Sequence, residues 1–381
     1  MALILLVSIT IHACYVGSRV VVSLLALDSG ANPMVVGALA AFYSLAPVFL
    51  NIVAGRLADK KGMRIPLLIG SSFTLAAMLF GYLWQQLPGL FATAMLTGIA
   101  FAFHNVSIQN LTGSYRGTEH RAQNFSTLTI SYSFSTFLGS MMAGYSIEYL
   151  GHGHSFLPFI LLTVPPLLVL IFHPHFTRVG NRQAEQTGRR ALDLLRDPPL
   201  RRFIVMSGLI TAAYELYGFY LPIHAHASGI SASDIGLILG AYGIATFVSR
   251  VALPFLTRRM PADDVMFWFM LISAVGFVLL PICRSFYPLG LTSFLIGLGS
   301  GLGPPVLMML AFNRSPGGRT GEVTGLRLTV NNVSRVAMPL VSGALGTVAG
   351  SVPVFLMNAV ILATISWLSR RSSSNVKRSA I

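Results

Sequence analysis

The chain has 381 residues, of which 54% are hydrophobic and only 10% are charged, and its mean hydropathy is +0.70. A soluble domain carries roughly 25% charged residues, so this composition excludes an ordinary soluble globular protein. Apolar runs recur along the whole length, and about 20 apolar residues suffice for a helix to cross a bilayer. We therefore expect an all-α polytopic membrane protein.

The first apolar run starts directly after Met1. It lacks the basic start and the small-residue cleavage site of a signal peptide, so we interpret it as an uncleaved first span. Cys14 falls within this span and Cys283 lies far from it in the sequence. A structural disulfide is therefore not expected, and cysteine gives little information about the redox compartment.

Apolar runs between breaker clusters predict twelve transmembrane helices. Their approximate limits are 2–27, 33–55, 65–85, 89–112, 124–148, 155–173, 203–227, 234–256, 264–283, 289–312, 323–346 and 353–369. One connection is long and polar, and it separates six helices from six. We expect two six-helix bundles at 1–175 and 203–371, a linker at 176–202 and a tail at 372–381.

Lysine and arginine predict the orientation, because basic loops stay in the cytoplasm. One set of loops, together with the tail, carries 21 basic residues, whereas the opposite set carries only Arg284. Both termini are therefore expected in the cytoplasm. The same basic loops explain the net charge of +14, and their clustering on one side of the membrane also suits anionic lipid. Nucleic acid is not an expected partner, because the basic loops are short and scattered.

The two halves resemble each other at a nearly constant offset of 199 residues. YSLAPVFLN at 43–51 aligns with YGIATFVSR at 242–250, and four glycine pairs keep the same offset. These pairs are Gly30 with Gly229, Gly37 with Gly236, Gly98 with Gly297, and Gly144 with Gly343. Parallel six-helix repeats are typical of secondary transporters whose substrate site lies between the repeats.

GRLADKKGMR follows helix 2 at residues 55–64. It resembles the loop motif G-x-L-a-D-r-x-G-r-r/k of the major facilitator superfamily. The alternative is a basic turn with no further role. The resemblance extends over the whole chain through the six-plus-six layout. It implies a transporter that rocks two halves around a central cavity, and it names no substrate.

The resemblance also implies a cytoplasmic gate. Its expected residues are Gly55, Asp59, Lys60, Gly62 and Arg64. The two glycines permit a tight turn and a close helix approach. In the family, such an aspartate resembles a latch to neighbouring basic groups and to the amino end of helix 11, where a helix start favours negative charge. Arg121 and the helix start near Glu322 are its expected surroundings.

Two departures from the family pattern and one loosely matching motif bear on coupling and direction. The equivalent loop of the second half, LTRRMPADD at 256–264, lacks the glycines and the aspartate. Many proton-driven members carry an arginine in helix 4 four residues before a glycine, but here Ala94 precedes Gly98. GSMMAG at 139–144 resembles the antiporter motif G-P-x-x-G-G only loosely, and its small residues also suit close helix packing.

Ionisable groups within spans indicate a functional pathway. Four arginines lie within spans against one deep acid, Glu215. Helical spacing groups the polar residues on faces of helices 1, 7, 8 and 11, with further polar residues in helix 4. Contacts to substrate are expected from Arg19, Tyr15, His104, Tyr214, Arg250, Asn331 and Arg335. One acid neutralises one arginine, so the remaining positive charge predicts an anionic ligand. The alternative is that individual charges are structural, for example that Arg250 binds backbone carbonyls.

Glu215 has two functional interpretations. It is the proton site if an anionic substrate displaces it from an arginine and the freed carboxylate then takes a proton. Alternatively, it binds the cationic part of a zwitterionic or basic substrate. Histidine pairs at 152–154, 173–175 and 224–226 have the spacing of metal ligands but no clear carboxylate or cysteine companion. We interpret them as interfacial histidines and expect no metal and no cofactor.

The leading hypothesis is a secondary active transporter that moves a small organic anion or zwitterion across the cytoplasmic membrane by alternating access, coupled to protons. Efflux of drugs or metabolites by antiport is the alternative within transport. A receptor on the same scaffold would bind ligand without flux. No catalytic motif is present in the sequence, so an enzyme is not expected. A monomer in a bacterial inner membrane is expected, with substrate, protons and lipid as its partners.

Overall fold

The fold is described by a computed structural model that covers residues 1–115, 121–172, 191–314 and 320–379. Within these ranges the chain forms twelve long α-helices and no strand. The first six are α1 (Ala2–Asp28), α2 (Pro33–Lys61), α3 (Arg64–Leu83), α4 (Leu87–Ser114), α5 (Arg121–Leu150) and α6 (Leu157–Phe172). The second six are α7 (Pro198–Ala227), α8 (Ala232–Arg259), α9 (Ala262–Leu279), α10 (Phe286–Arg314), α11 (Thr320–Ala349) and α12 (Ser351–Ser379).

Several helices extend beyond the limits predicted from hydropathy. Helix α2 continues through the expected loop to Lys61 and ends at Gly62, whose φ of +80° favours glycine. Helix α7 begins at Pro198, inside the predicted linker, where proline suits the first helical turn. Helix α12 runs to Ser379 through the predicted tail. Hydropathy detects the segment inside the bilayer, and polar turns continue these helices outside it.

Ten of the helices in the described ranges are long and apolar enough to cross a membrane. The other two, α5 and α11, have 30 residues each, about 45 Å of helix. They are more polar than the rest: nine of the residues of α5 are serine or threonine, and α11 carries two arginines and two asparagines in its middle. Both pack between the halves of the molecule, which accounts for their polarity.

Helices α1–α6 pack against one another to form a first bundle, and α7–α12 form a second bundle. The bundles meet mainly through α5 against α8 and α2 against α11, with α1 against α7 between these two interfaces. Met1 packs at one end of the first bundle against Met63, Leu111 and Leu170. We call this end the termini end and the opposite one the far end.

Glycines bring the bundles into backbone contact near the far end. A Cβ on Gly37 would lie 2.5 Å from Pro339 O and 3.3 Å from the Cα of Gly343. A Cβ on Gly236 would lie 2.8 Å from Ser140 O and 3.0 Å from the Cα of Gly144. Neither position accepts a side chain without displacing backbone. We call these two contacts the far-end seal.

The far-end seal follows the internal repeat. Adding 199 to the numbers of Gly37 and Gly144 gives Gly236 and Gly343, so each contact is the counterpart of the other. The same holds within the bundles. A Cβ on Gly98 would meet Tyr43 O at 2.7 Å, and one on Gly297 would meet Tyr242 O at 2.6 Å. The repeat predicted from the sequence is therefore present in the packing.

Candidate substrate and coupling site

Glu215 lies between two arginines in the middle of the molecule. Its Oε2 is 2.9 Å from Arg19 Nη1, and its Oε1 is 3.3 Å from Arg335 Nε. Helices α7, α1 and α11 bring the three residues to one depth, since each lies 15 to 17 residues, about 25 Å, from the termini end of its helix. The ion pair with Arg19 joins the two bundles, whereas the pair with Arg335 lies within the second bundle.

The three side chains differ in their access to solvent. Those of Glu215 and Arg19 are 11% and 17% exposed, whereas that of Arg335 is 32% exposed. Arg19 Nη2 and Arg335 Nε have no aligned hydrogen-bond partner among the described residues. Glu215 Oε2 also accepts no hydrogen bond of suitable geometry, although it lies close to Arg19 Nη1. This contact is therefore an ion pair rather than a directed hydrogen bond. The cluster carries two positive charges against one negative charge and retains unused donors.

Aromatic rings hold Arg19 from the side of the first bundle. Its guanidinium carbon lies 5.7 Å from the ring centre of Tyr15 and 5.9 Å from that of Tyr43, within the range of cation–π attraction. Tyr15 stacks on Phe101 at 4.1 Å, and the hydroxyl of Tyr43 donates to Ser18 Oγ at 3.3 Å. Arg19 is therefore enclosed by aromatic rings, whereas Arg335 is the more exposed of the two cations.

A polar and aromatic wall leads from this cluster toward the termini end. His12 stacks on Tyr132 with ring centres 4.5 Å apart. The Tyr132 hydroxyl donates to Asn105 Oδ1 at 3.4 Å, and Gln109 donates to the same oxygen at 2.9 Å. All four side chains are only partly buried. They can line a route between the termini end and Glu215.

Arg250 binds backbone and hydroxyl oxygens. Its Nε donates to Gly301 O at 3.1 Å, and its Nη1 donates to Ser133 Oγ at 2.8 Å and to Thr129 O. Thr246, one turn away, also donates to Ser133 Oγ, at 2.9 Å. Because Ser133 and Thr129 belong to α5, Arg250 clamps the second bundle to the first. It does not contact Glu215 in this conformation.

Three other residues that were predicted to contact substrate pack instead against neighbouring helices. Asn331 is buried and hydrogen-bonds Ser207 on α7 at 3.0 Å in either orientation of its amide. His104 is buried against α3 at Gly70, and neither ring nitrogen has a hydrogen-bond partner in the described part of the chain. Tyr214 directs its hydroxyl toward Met270 Sδ, 3.9 Å away on α9. These three residues are not brought together with Glu215.

The expected cytoplasmic gate is described in part. Gly55 is an internal residue of α2 rather than a turn residue, and a Cβ there would meet only Val106, at 3.8 Å. Gly62 ends that helix, and Arg64 donates to Leu170 O and Ile171 O at 2.8 and 2.6 Å. Arg64 thus caps the termini end of α6. The side chains of Asp59, Lys60, Arg121 and Glu322 lie outside the described part of the structure.

Sequence reasoning assigned no role to some residues that the structure brings together. Ser133 and Thr129, the partners of Arg250, are two of many hydroxyl residues in α5, and only the contact singles them out. The far-end contact of Asp28 with His226 is also new, at 2.7 Å. The glycine pairs did carry a usable pattern, since their constant offset predicts equivalent packing.

Two packed helix bundles around a buried, positively charged cluster define a membrane transporter. The family model of the major facilitator superfamily matches residues 4–261 and 203–380. The chain belongs to the major facilitator superfamily.

Curated relatives resemble the chain over most of its length, and a solved structure shares its fold. The quinolone resistance protein NorA of Staphylococcus aureus is 23% identical over 351 residues, which are 89% of this chain and 87% of NorA. The multidrug resistance protein MdtG of Dickeya zeae is 24% identical over 338 residues, 84% of this chain and 81% of MdtG. The crystal structure of the nucleoside transporter NupG superposes with a TM-score of 0.78 at 16% identity, covering 97% of this chain and 99% of NupG.

Proposed function

We propose that the protein is a secondary active transporter that moves a small organic anion together with a proton. Its twelve helices all cross the cytoplasmic membrane, and both termini face the cytoplasm, as the basic loops indicate. The observation that carries the proposal is the buried cluster of Glu215 between Arg19 and Arg335. Intramembrane charges of this kind are expensive and are retained for function.

The charges of the cluster favour an anion over a zwitterion. Both oxygens of Glu215 face guanidinium groups, so the cationic end of a zwitterion would meet an occupied carboxylate. Among the described residues, by contrast, Arg19 Nη2 and Arg335 Nε have no aligned hydrogen-bond acceptor, and guanidinium pairs well with carboxylate or phosphate. Arg335 is the more exposed of the two and is the first contact for an incoming anion.

The same geometry supplies a coupling mechanism. An anion that binds Arg335 competes with Glu215 for it, and the displaced carboxylate then takes a proton. Protonation also removes the charge that attracts Arg19 across the bundle interface, so binding loosens the contact between α1 and α7. Rocking of the bundles follows, and the proton and the anion travel together as symport.

The test uses purified protein in proteoliposomes. The Glu215→Gln variant should still exchange labelled anion across the membrane at equal pH, because Arg19 and Arg335 remain. It should fail to accumulate the anion when a pH gradient is imposed. Glu148→Gln is the matched control, since Glu148 is an exposed carboxylate at the far end. Accumulation by Glu215→Gln at the wild-type level would rule out Glu215 as the proton site.

Multidrug efflux is the second candidate function. It is favoured by the names of the relatives NorA and MdtG and by the partly exposed aromatic wall of His12 and Tyr132. A bound ligand raises the unfolding temperature, so thermal unfolding with matched anions, zwitterions and lipophilic cations separates the two functions. Stabilisation by anions that is lost in Arg335→Ala supports anion transport, whereas stabilisation by cations alone supports efflux.

A further inference from the structure

The far end carries a three-residue ionisable cluster that the transport site does not use. His226 Nε2 lies 2.7 Å from Asp28 Oδ1, and His152 Nε2 lies 3.1 Å from Asp28 Oδ2. Asp28 ends α1, and His152 lies in a turn of 3-10 helix after α5, so both belong to the first bundle. His226 lies in the last turn of α7, in the second bundle. Only the contact between Asp28 and His226 therefore crosses the interface.

Other contacts across the far end have a fixed charge state near neutral pH. Met34 N donates to Thr347 Oγ1 at 3.1 Å, and Ser233 N donates to Glu148 Oε2 at 2.9 Å. A hydroxyl does not titrate near neutral pH, and carboxylates ordinarily titrate near pH 4. Histidine ordinarily titrates between pH 5 and 8. Among these far-end contacts between bundles in the described ranges, only that of Asp28 with His226 involves a histidine.

We propose that Asp28 and His226 form a latch that closes the far end more tightly when the solution on that side becomes acidic. Protonated His226 forms a charge-assisted pair with the carboxylate, whereas neutral His226 leaves a weaker hydrogen bond. The three side chains are 34–46% exposed, so far-end solvent reaches them directly. An ion pair this exposed shifts an equilibrium by about two- to five-fold.

Neighbouring ionisable groups do not replace this latch. His224 contacts Cys283 O at 3.0 Å and Ser351 Oγ at 3.3 Å, both within the second bundle. His154 packs near Tyr82 within the first bundle. The remaining charged residues in the turns and helix ends of the far end are Glu148, Asp234 and Arg284. Glu148 accepts a hydrogen bond from Ser233 N, and Arg284 lies near His224 within the second bundle.

His152 supplies an internal control because it shares Asp28 without bridging the bundles. Its removal leaves the contact between Asp28 and His226 intact and also relieves competition for the carboxylate. No cluster of three metal-ligating side chains in the described ranges has the geometry to hold a metal ion. A chelator in every sample keeps stray metal from joining the two histidines.

The test measures the far-end opening directly and needs no substrate. Spin labels are attached to Tyr149→Cys on α5 and Tyr287→Cys on α10, two exposed positions on opposite bundles. Cys283→Ser removes a competing thiol, and buried Cys14 is retained. Pulsed electron–electron double resonance then gives the distribution of distances between the two labels in nanodiscs at pH 8 and pH 5.5. Melting curves and elution profiles check that each variant is folded.

The open population of the wild type should fall about two- to five-fold from pH 8 to pH 5.5. His226→Gln and Asp28→Asn should each lose this dependence, and His152→Gln should keep it. A wild-type distribution that does not change with pH overturns the latch. So does a His226→Gln variant that responds to pH as the wild type does.

Discussion

Arg335 Nε lies 3.3 Å from Glu215 Oε1, within one bundle, while Arg19 reaches the other oxygen of the same carboxylate from the opposite bundle. The two arginines are therefore not equivalent. Arg335 is the more exposed, whereas Arg19 packs against two tyrosine rings. A contact within one bundle and a contact between the bundles therefore meet at a single carboxylate.

The first prediction concerns anion affinity. Arg335→Ala should weaken binding of a small organic anion by about ten- to a hundred-fold, because a hydrogen bond to a charged group contributes roughly 1.5–3 kcal/mol. Isothermal titration calorimetry on the purified protein measures the change in anion affinity. Arg284→Ala is the control, since Arg284 is exposed at the far end. Equal affinities for Arg335→Ala and wild type would remove the anion site from this position.

The second prediction concerns stability. Arg19→Met should lower the free energy of unfolding, because it leaves Glu215 with one cation in a buried site; breaking a buried pair completely costs about 3–5 kcal/mol. The loss should be smaller here because Arg335 remains. The double variant Arg19→Met, Glu215→Gln should recover part of the loss. Thermal unfolding measures both, and an equally unstable double variant would mean that packing, rather than charge, explains the effect.

The third prediction separates the role of Arg250 from that of Arg335. Arg250→Ala should leave anion affinity within about two-fold of wild type, because Arg250 contacts protein oxygens and not the cluster. It should change the transport rate, since it removes a clamp between α8 and α5. Affinity and initial rate are measured on the same preparation. A large loss of affinity would instead indicate that Arg250 reaches the substrate in another conformation.

The fourth prediction concerns the far-end seal. Gly37→Ala should displace α11 and raise the open population at the far end, because the methyl group meets backbone at Pro339 and Gly343. Gly290→Ala on α10 is the matched control, as a Cβ there meets nothing within 4 Å. The spin-label pair at 149 and 287 reports the opening. If both variants give the wild-type distribution, the glycine contact does not limit opening.

Gly144→Ala tests the symmetry of the seal. Its Cβ would meet Gly236 and Ala232 at the interface of α5 and α8, the counterpart of the interface of α2 and α11. It should therefore open the far end as Gly37→Ala does. A response from only one of the two variants would show that the interfaces open unequally.

The charged cluster was predictable in kind but not in detail. Composition and depth singled out Glu215 and four arginines within spans, because an intramembrane charge requires compensation. Periodicity could not show which arginine pairs with Glu215, since it states which residues share a face and not which face meets which helix. The structure answers with two partners rather than one.

The direction in which each side chain leaves its helix explains why other predicted residues do not reach the site. Tyr214 precedes Glu215 in the chain, yet one helical step of about 100° turns its hydroxyl toward Met270 on α9. His104 and Asn331 are polar and deep, but each faces a neighbouring helix. The contact of Asp28 with His226 joins residues 198 apart, which no local pattern predicts.

The glycine contacts have a consequence for the origin of the charge cluster. In the repeat, α8 and α11 are the counterparts of α2 and α5. Two identical six-helix units would therefore make the same contact between α2 and α5 twice, as a two-fold dimer does. The cluster breaks that symmetry. At the offset of 199, the counterparts of Glu215, Arg19 and Arg335 are Val16, Gly218 and Thr136, none of which is charged. A Cβ on Gly218 would meet nothing within 4 Å, so the position equivalent to that of Arg19 in the second half is open. The repeat gives two equivalent helix interfaces, whereas the differences between its halves give the described site one carboxylate rather than two.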